Sequence, residues 1–254
     1  MKKIVLIVLI VVVLVSVATT GFLYRDLIFR DRDNFNSIQS DDSISILFVG
    51  NSHVFWGMLP QQVYIISKAN GVDILYKDIS ENGAHLSRSK DEAITELQTG
   101  KYDYIVLQDN TRLLPDGMDG FLEVIRLLCD EAKSNGTVPV LFNPAIDDTV
   151  RLSNYTEAYM RAADENDAIL VNAGGAWLYA FQTIPGVSLY AWDGIHANNA
   201  GAFFTACLFA AVLFDINVDE IPVNNRYRGR DASVLAQAAW DFMVYAKTIE
   251  VNNI

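Results

Sequence analysis

Short apolar runs alternate along this chain with longer stretches of helical periodicity, and Gly, Asn or Asp punctuates nearly every change. The run Ser45 to Val49 is closed by Gly50-Asn51-Ser52-His53, the pattern of a buried strand that ends in a tight turn. Leu59 to Ala69 carries apolar positions at helical spacing and stops at Asn70-Gly71. Val72 to Ile79 is strand-like and runs into a loop, Ser80 to His85; Ser89 to Leu97 is helical, and Tyr104 to Leu107 is a third strand ending at Gln108-Asp109-Asn110-Thr111. A helix from about Asp119 to Ser134, a strand from Val138 to Phe142, a helix from Asn154 to Glu165 and a strand from Ala168 to Val171 continue the alternation. Gly174 to Tyr190 is expected to be less regular. Ala200 to Phe214 is apolar enough for a buried helix, and Asp231 to Ile249 makes a closing amphipathic helix that Asp231 is able to cap. Strands and helices of these lengths predict βαβ units, hence an α/β fold: a three-layer α/β/α sandwich around a mainly parallel five-stranded sheet.

The N-terminus breaks this pattern. Lys2 and Lys3 precede an uncharged stretch from Ile4 to Tyr24, which at roughly 1.5 Å per residue can cross a hydrocarbon core of about 30 Å. Ser16-Val17-Ala18 resembles the cut site of a signal peptide, whose removal would leave a secreted domain. Apolar character resumes at Gly21-Phe22-Leu23-Tyr24 beyond it, which favours an uncleaved signal anchor and transmembrane helix over residues 1–24. Arg25, Arg30 and Arg32 compete with Lys2 and Lys3 in the positive-inside count, and the short N-terminal tail favours an exported domain. Residues 25–43 read as a solvated polar linker and residues 44–254 as one catalytic domain.

Composition narrows the chemistry. The formal net charge of −12 leaves no broad basic footprint, which argues against nucleic acid and against charge-driven docking on anionic lipid. The two cysteines, Cys129 and Cys207, lie in apolar helical stretches and read as core thiols, and no Cys/His spacing points to zinc. Arg226, Arg228 and Arg230 read as a solvated connection before the last helix.

Polar residues or glycine stand at three strand ends, Gly50-Asn51-Ser52, Asn82-Gly83 and Asp109-Asn110, and a fourth element, Trp192-Asp193-Gly194-Ile195-His196, precedes the buried helix. Acyl transfer by a serine needs a base for the hydroxyl proton, a carboxylate to orient that base, and donors for the oxyanion. Ser52 is the candidate nucleophile. Asp193 and His196 are three residues apart, so one turn can present both side chains together. The α/β-hydrolase elbow, Gly-x-Ser-x-Gly, is not met, because Val54 holds its last position. His53 reads as a packing or rim residue beside the serine, and His85 as a loop residue without a role. Trp177, Tyr179, Phe181, Tyr190 and Trp192 read as core more readily than as a sugar platform.

Four short blocks between Ile44 and Phe214 resemble, in order, those of the SGNH hydrolases, also called GDSL-type esterases and lipases. Gly50-Asn51-Ser52 resembles the first block, Gly83 falls on the glycine of the second, Asn110 on the asparagine of the third, and Asp193-x-x-His196 on the last. The resemblance implies a flavodoxin-like sandwich of the SGNH type. It implies a catalytic set of Ser52, Asp193 and His196, with an oxyanion hole from the Ser52 N–H, the Gly83 N–H and the Asn110 side-chain amide. Two departures stand out: Asn51 replaces the Asp of the family's name pattern, and the third block reads Gln108-Asp109-Asn110-Thr111 where the family has Gly-x-Asn-Asp. A slip of one position would bring Asp109 to the rim, where a carboxylate opposes an oxyanion.

The expected function is a membrane-tethered, extracytoplasmic serine esterase that hydrolyses O-acyl, foremost O-acetyl, esters on cell-envelope carbohydrate, with no metal or organic cofactor. Its alternatives are an acyltransferase using the same three residues, a lipid esterase, and a catalytically inactive envelope-binding module.

Overall fold

The structure is a computed structural model that describes residue 34 and residues 42–111, 117–147 and 149–252. Its elements in chain order are β1 (Ile44–Val49), α1 (Ser52–Phe55), α2 (Leu59–Ala69), β2 (Ile74–Asp78), α3 (Leu86–Leu97), β3 (Tyr104–Leu107), α4 (Gly117–Ser134), β4 (Val138–Asn143), α5 (Thr149–Glu165), β5 (Ile169–Asn172), α6 (Ala173–Thr183), α7 (Asn199–Phe214) and α8 (Ala232–Asn252). The five strands form one sheet in the order β2-β1-β3-β4-β5, and every pairing is parallel.

Alternation along β1 explains the three layers. Ile46 and Phe48 face one way, into a core shared with α2, α6, α7 and α8. Leu47 and Val49 face the other, into a core shared with α3, α4 and α5. Both faces of the strand are therefore buried, which is why it reads as a continuous apolar run. The chain leaves β1 towards β2 on one side and later returns to β3 on the other, so the reversal of strand order lies between β1 and β3. Ligands of open α/β sheets bind at the carboxyl ends flanking such a reversal, and Ser52 and Asn110 follow those two strands.

Four expectations need correction, one of them the start of α5, which begins at Thr149 and not at Asn154. The stretch from Gly174 is a regular helix, α6, capped by the Asn172 side chain, which accepts from the Gly175 N–H at 3.0 Å. Its Gly174-Gly175 pair disguises it in the sequence, yet a Cβ at Gly174 would lie 2.5 Å from Cδ1 of the buried Leu152, so a larger residue would have to displace that side chain. Helix α3 starts at Leu86, a full turn before Ser89. Finally, Asn34 is not part of a solvated stalk: its amide donates to Ile74 O at 3.0 Å and its side-chain oxygen accepts from the Tyr76 N–H at 2.6 Å. These bonds lie along β2, the outer strand in the sheet order of the described residues.

Residues 1–24, where the anchor is expected, lie outside the described residues, as does nearly all of the linker. Among the described residues no helix is long and apolar enough to cross a membrane. Cys129 and Cys207 are both free and buried.

Candidate active site

The first strand end is assembled by residues from its neighbours. Gly50 has to be glycine, because a Cβ there would lie 2.7 Å from Val54 Cγ2 and 2.8 Å from Gln108 Oε1. That closeness lets Gln108 Oε1 accept the Asn51 N–H at 3.0 Å, tying the end of β1 to the end of β3. The Asn51 side chain caps α1 by accepting from the His53 N–H at 3.1 Å, and its amide donates to Ala84 O at 3.2 Å in the loop after β2. An amide serves both bonds here, whereas an ionised Asp could accept but not donate.

Ser52, the first residue of α1, thereby holds a fixed position with its hydroxyl towards the fourth block. Ser52 Oγ lies 2.8 Å from His196 Nε2, and His196 Nδ1 lies 2.6 Å from Asp193 Oδ2. The other carboxylate oxygen, Asp193 Oδ1, accepts from the N–H groups of Ile195 and His196, both at 3.0 Å. The hydrogen bond from the imidazole, ahead of the backbone donors, holds the Asp193 carboxyl down at about 2. With Asp193 ionised, Nδ1–H donates to it and Nε2 is left to accept from the serine hydroxyl.

A closed hairpin presents this pair. Tyr190 and Ala197 form an antiparallel bridge, the Ala191 N–H donates to His196 O at 2.7 Å, and the Asn198 N–H donates to Leu189 O at 2.8 Å. Asn198 then caps α7 by accepting from the Gly201 N–H at 2.9 Å. The buried helix fixes the root of the hairpin, and the hairpin fixes the base.

Trp56, one turn after Ser52, stacks on the His196 ring with centroids 4.5 Å apart and planes 15° from parallel, while 46% of its surface stays exposed. Its spacing of four from the serine, on one face of a helical turn, was the available signal for this contact. The His53 ring lies 5.5 Å from that of His196. Burial, then the neighbouring His196, pushes His53 down to about 4, so at neutral pH it adds no charge beside the base. Trp177 is core, as expected, but Trp192 is 92% exposed beside Asp193.

Gly83 and Asn110 come together. The Asn110 amide donates to Gly83 O at 2.7 Å, and Gly83 adopts a left-handed conformation, φ +65°, that suits glycine. Among the described residues, the Ser52 and Gly83 N–H groups donate to no protein acceptor. Asp109 is not on the exposed rim: it is 2% exposed. Its Oδ1 accepts from the N–H groups of Asn110 at 2.6 Å and Leu86 at 3.1 Å and lies 3.2 Å from His85 Nδ1. Burial pushes the Asp109 carboxyl up, against the pull of these donors. A cavity of about 70 Å³ adjoins Asp109 and Asn110, with Met118, Phe121, Arg151 and Tyr155 also in its wall. Among the described residues no group of three or more His, Cys, Asp or Glu side chains could hold a metal ion.

Neither a protein-family model nor a curated protein matches the sequence. Solved structures do match the fold. A protein of Slackia heliotrinireducens described as a candidate SGNH hydrolase is 20% identical, with a TM-score of 0.55 over 67% of this chain and 99% of its own. A DUF4886 family protein from Bacteroides uniformis is 18% identical, with a TM-score of 0.63 over 81% of this chain and 96% of its own. A point mutant of Axe2, an acetyl-xylooligosaccharide esterase from Geobacillus stearothermophilus, is 16% identical, with a TM-score of 0.57 over 70% of this chain and 97% of its own. The three-layer sandwich around a parallel five-stranded sheet is therefore a fold this chain shares with solved structures described as an SGNH hydrolase and as an acetyl-xylooligosaccharide esterase.

Proposed function

We propose that this chain is an SGNH-type serine ester hydrolase that removes O-acyl groups, acetyl first among them, from cell-envelope carbohydrate. The observation that carries the reading is the continuous hydrogen-bond chain from Ser52 Oγ through His196 to Asp193. Three polar side chains aligned in this order at the carboxyl end of a parallel sheet have an evident use in moving a proton off the serine. Ser52 Oγ attacks the ester carbonyl carbon while its proton passes to His196 Nε2, and Asp193 stabilises the imidazolium that forms. The Ser52 and Gly83 N–H groups and the Asn110 amide receive the negative charge on the former carbonyl oxygen. Collapse breaks the bond to the alcohol, which leaves with the proton from His196. Water then attacks the acyl-serine, again giving its proton to His196, and the carboxylic acid departs as Ser52 recovers its hydrogen.

The carbohydrate assignment draws on the acetyl-xylooligosaccharide esterase that shares the fold and on the apolar N-terminal stretch, residues 1–24, read as an anchor that tethers the domain outside the cytoplasm. The test is acetate release from acetylated xylooligosaccharides by the full chain in detergent. Loss of a serine nucleophile costs on the order of 10⁶ in kcat, so Ser52→Ala is expected to bring release to background. Undiminished release by that variant would sink the assignment.

A further inference from the structure

The residue that the sequence made suspicious has a different use. We propose that Asp109 is the positioning residue of the oxyanion hole, its one carboxylate oxygen clamping the loop that carries Gly83 to the loop that carries Asn110. The inference rests on the assignment of Gly83 and Asn110 as oxyanion donors under the proposed function.

Three donors converge on Asp109 Oδ1, and they come from both loops. The Asn110 N–H, at 2.6 Å, belongs to the loop after β3; the Leu86 N–H, at 3.1 Å, and His85 Nδ1, at 3.2 Å, belong to the segment that follows Gly83. Helix α3 has no side-chain cap of its own at His85, so Asp109 caps it from the loop after β3 and supplies the negative charge its N-terminus favours. The clamp is itself held from beneath. The Asp109 N–H donates to the buried Tyr159 hydroxyl at 2.9 Å, and the Tyr155 hydroxyl donates to Asn110 O at 3.3 Å, so α5 carries the base of both residues. Across the top, the Asn110 amide closes the ring on Gly83 O at 2.7 Å.

The arrangement explains a costly choice. Asp109 is 2% exposed and its second oxygen, Oδ2, has no hydrogen-bond partner among the described residues. Leaving a buried carboxylate oxygen unpaired is expensive, and capping α3 alone could be met by a serine or asparagine nearer its start. A short charged acceptor at the end of β3 reaches both loops at once. Oxyanion donors act only when held close to where the charge develops, so the separation of the two loops is what Asp109 sets.

The test uses the full chain in detergent, with p-nitrophenyl acetate as substrate, active sites titrated by the burst of p-nitrophenol, and an alkyl boronic acid as the tetrahedral mimic. Asp109→Ala is expected to lower kcat per titrated site about 100-fold, the scale for an oxyanion donor lost or misplaced, with KM little changed and boronate affinity falling in parallel. Asp109→Asn keeps an acceptor but loses the charge assistance, so it is expected to lose only about three- to tenfold in kcat and boronate affinity. A variant whose thermal stability falls while kcat per site and boronate affinity stay at wild-type values would reduce Asp109 to a helix cap and overturn the proposal. So would an asparagine variant as impaired as the alanine one. Should Asp109→Ala not fold, the asparagine variant decides by the same readouts. Absence of any burst in the wild-type protein would count against the esterase reading itself, not against Asp109 in particular.

Discussion

Replacing Gly201 by alanine isolates how far the base depends on the helix behind it. Gly201 lies in the first turn of α7, and a Cβ there would come 2.3 Å from Leu189 O and 2.6 Å from the Trp177 ring. Leu189 is fully buried and Trp177 nearly so, so neither can give way freely. Leu189 O is also the acceptor for the Asn198 N–H at 2.8 Å, the bond at the root of the hairpin that carries Asp193 and His196. Overpacking costs about 1–3 kcal/mol and the displaced hydrogen bond about 1 kcal/mol. Against this, alanine gains about 1 kcal/mol over glycine within a helix. The net expectation is a loss of about 1–3 kcal/mol, and at 2–4 °C per kcal/mol for a domain of this size a fall in Tm of roughly 2–12 °C. Because the hairpin must move, kcat should fall about tenfold or more even well below Tm. Thermal denaturation followed by circular dichroism, with kcat for a short-chain aryl ester, reads both effects. A variant as stable and as active as the wild type would refute the reasoning, since the helix-forming gain would then outweigh a clash that had relaxed at no cost to the hairpin.

Other expectations follow from the same geometry. Trp56→Ala removes the ring stacked on His196 and should lower kcat about two- to fivefold, the worth of an exposed aromatic face beside a developing cation, with Trp56→Phe restoring most of it; an unchanged kcat in the alanine variant denies the contact any part in turnover. Asn110→Ala should cost about 10²–10³ in kcat with KM nearly constant, whereas a change confined to KM would make Asn110 a substrate contact. Asp193 is held at about 2 against 3.8 for a free carboxyl. The depressed value means that its contribution to stability is present above pH 3.8 and is lost as pH falls towards 2. The difference in Tm between wild type and Asp193→Asn should therefore shrink across that window, and a difference independent of pH would contradict a hydrogen-bonded, ionised Asp193.

Much of the fold was legible because local signals and tertiary structure agree. Helix α2 has the predicted bounds, Leu59–Ala69, since its apolar spacing and the Asn70-Gly71 stop are both local. Strand β3, Tyr104–Leu107, likewise announces itself by an apolar run between polar ends. What the sequence concealed depends on distant partners. The start of α3 is set by Asp109 in the loop after β3, so nothing near His85 marks it. Helix α6 hides behind Gly174-Gly175, whose missing side chains leave room for Leu152 and other neighbours outside the helix.

The site divides along the same line. Ser52 stood out because an apolar strand stops at it, and Asp193 and His196 because they stand three residues apart just before a buried helix; the structure brings the three into one hydrogen-bond chain. Gly83 and Asn110 were legible as positions, and their mutual hydrogen bond draws them to one rim. The direction of Asp109 was not legible, because adjacent residues at a strand end diverge and only the fold decides which one turns inward. Gln108 was equally silent: its tie to the Asn51 N–H spans more than fifty residues of sequence.

The most direct test of the central claim is the reaction of the full chain with a fluorophosphonate, which reacts with a serine activated by its neighbours. Peptide mass analysis is expected to find a single adduct on Ser52, with the rate of labelling in His196→Ala lower by about 10³ or more. Labelling that spares Ser52, or that proceeds as fast without His196, would contradict the account.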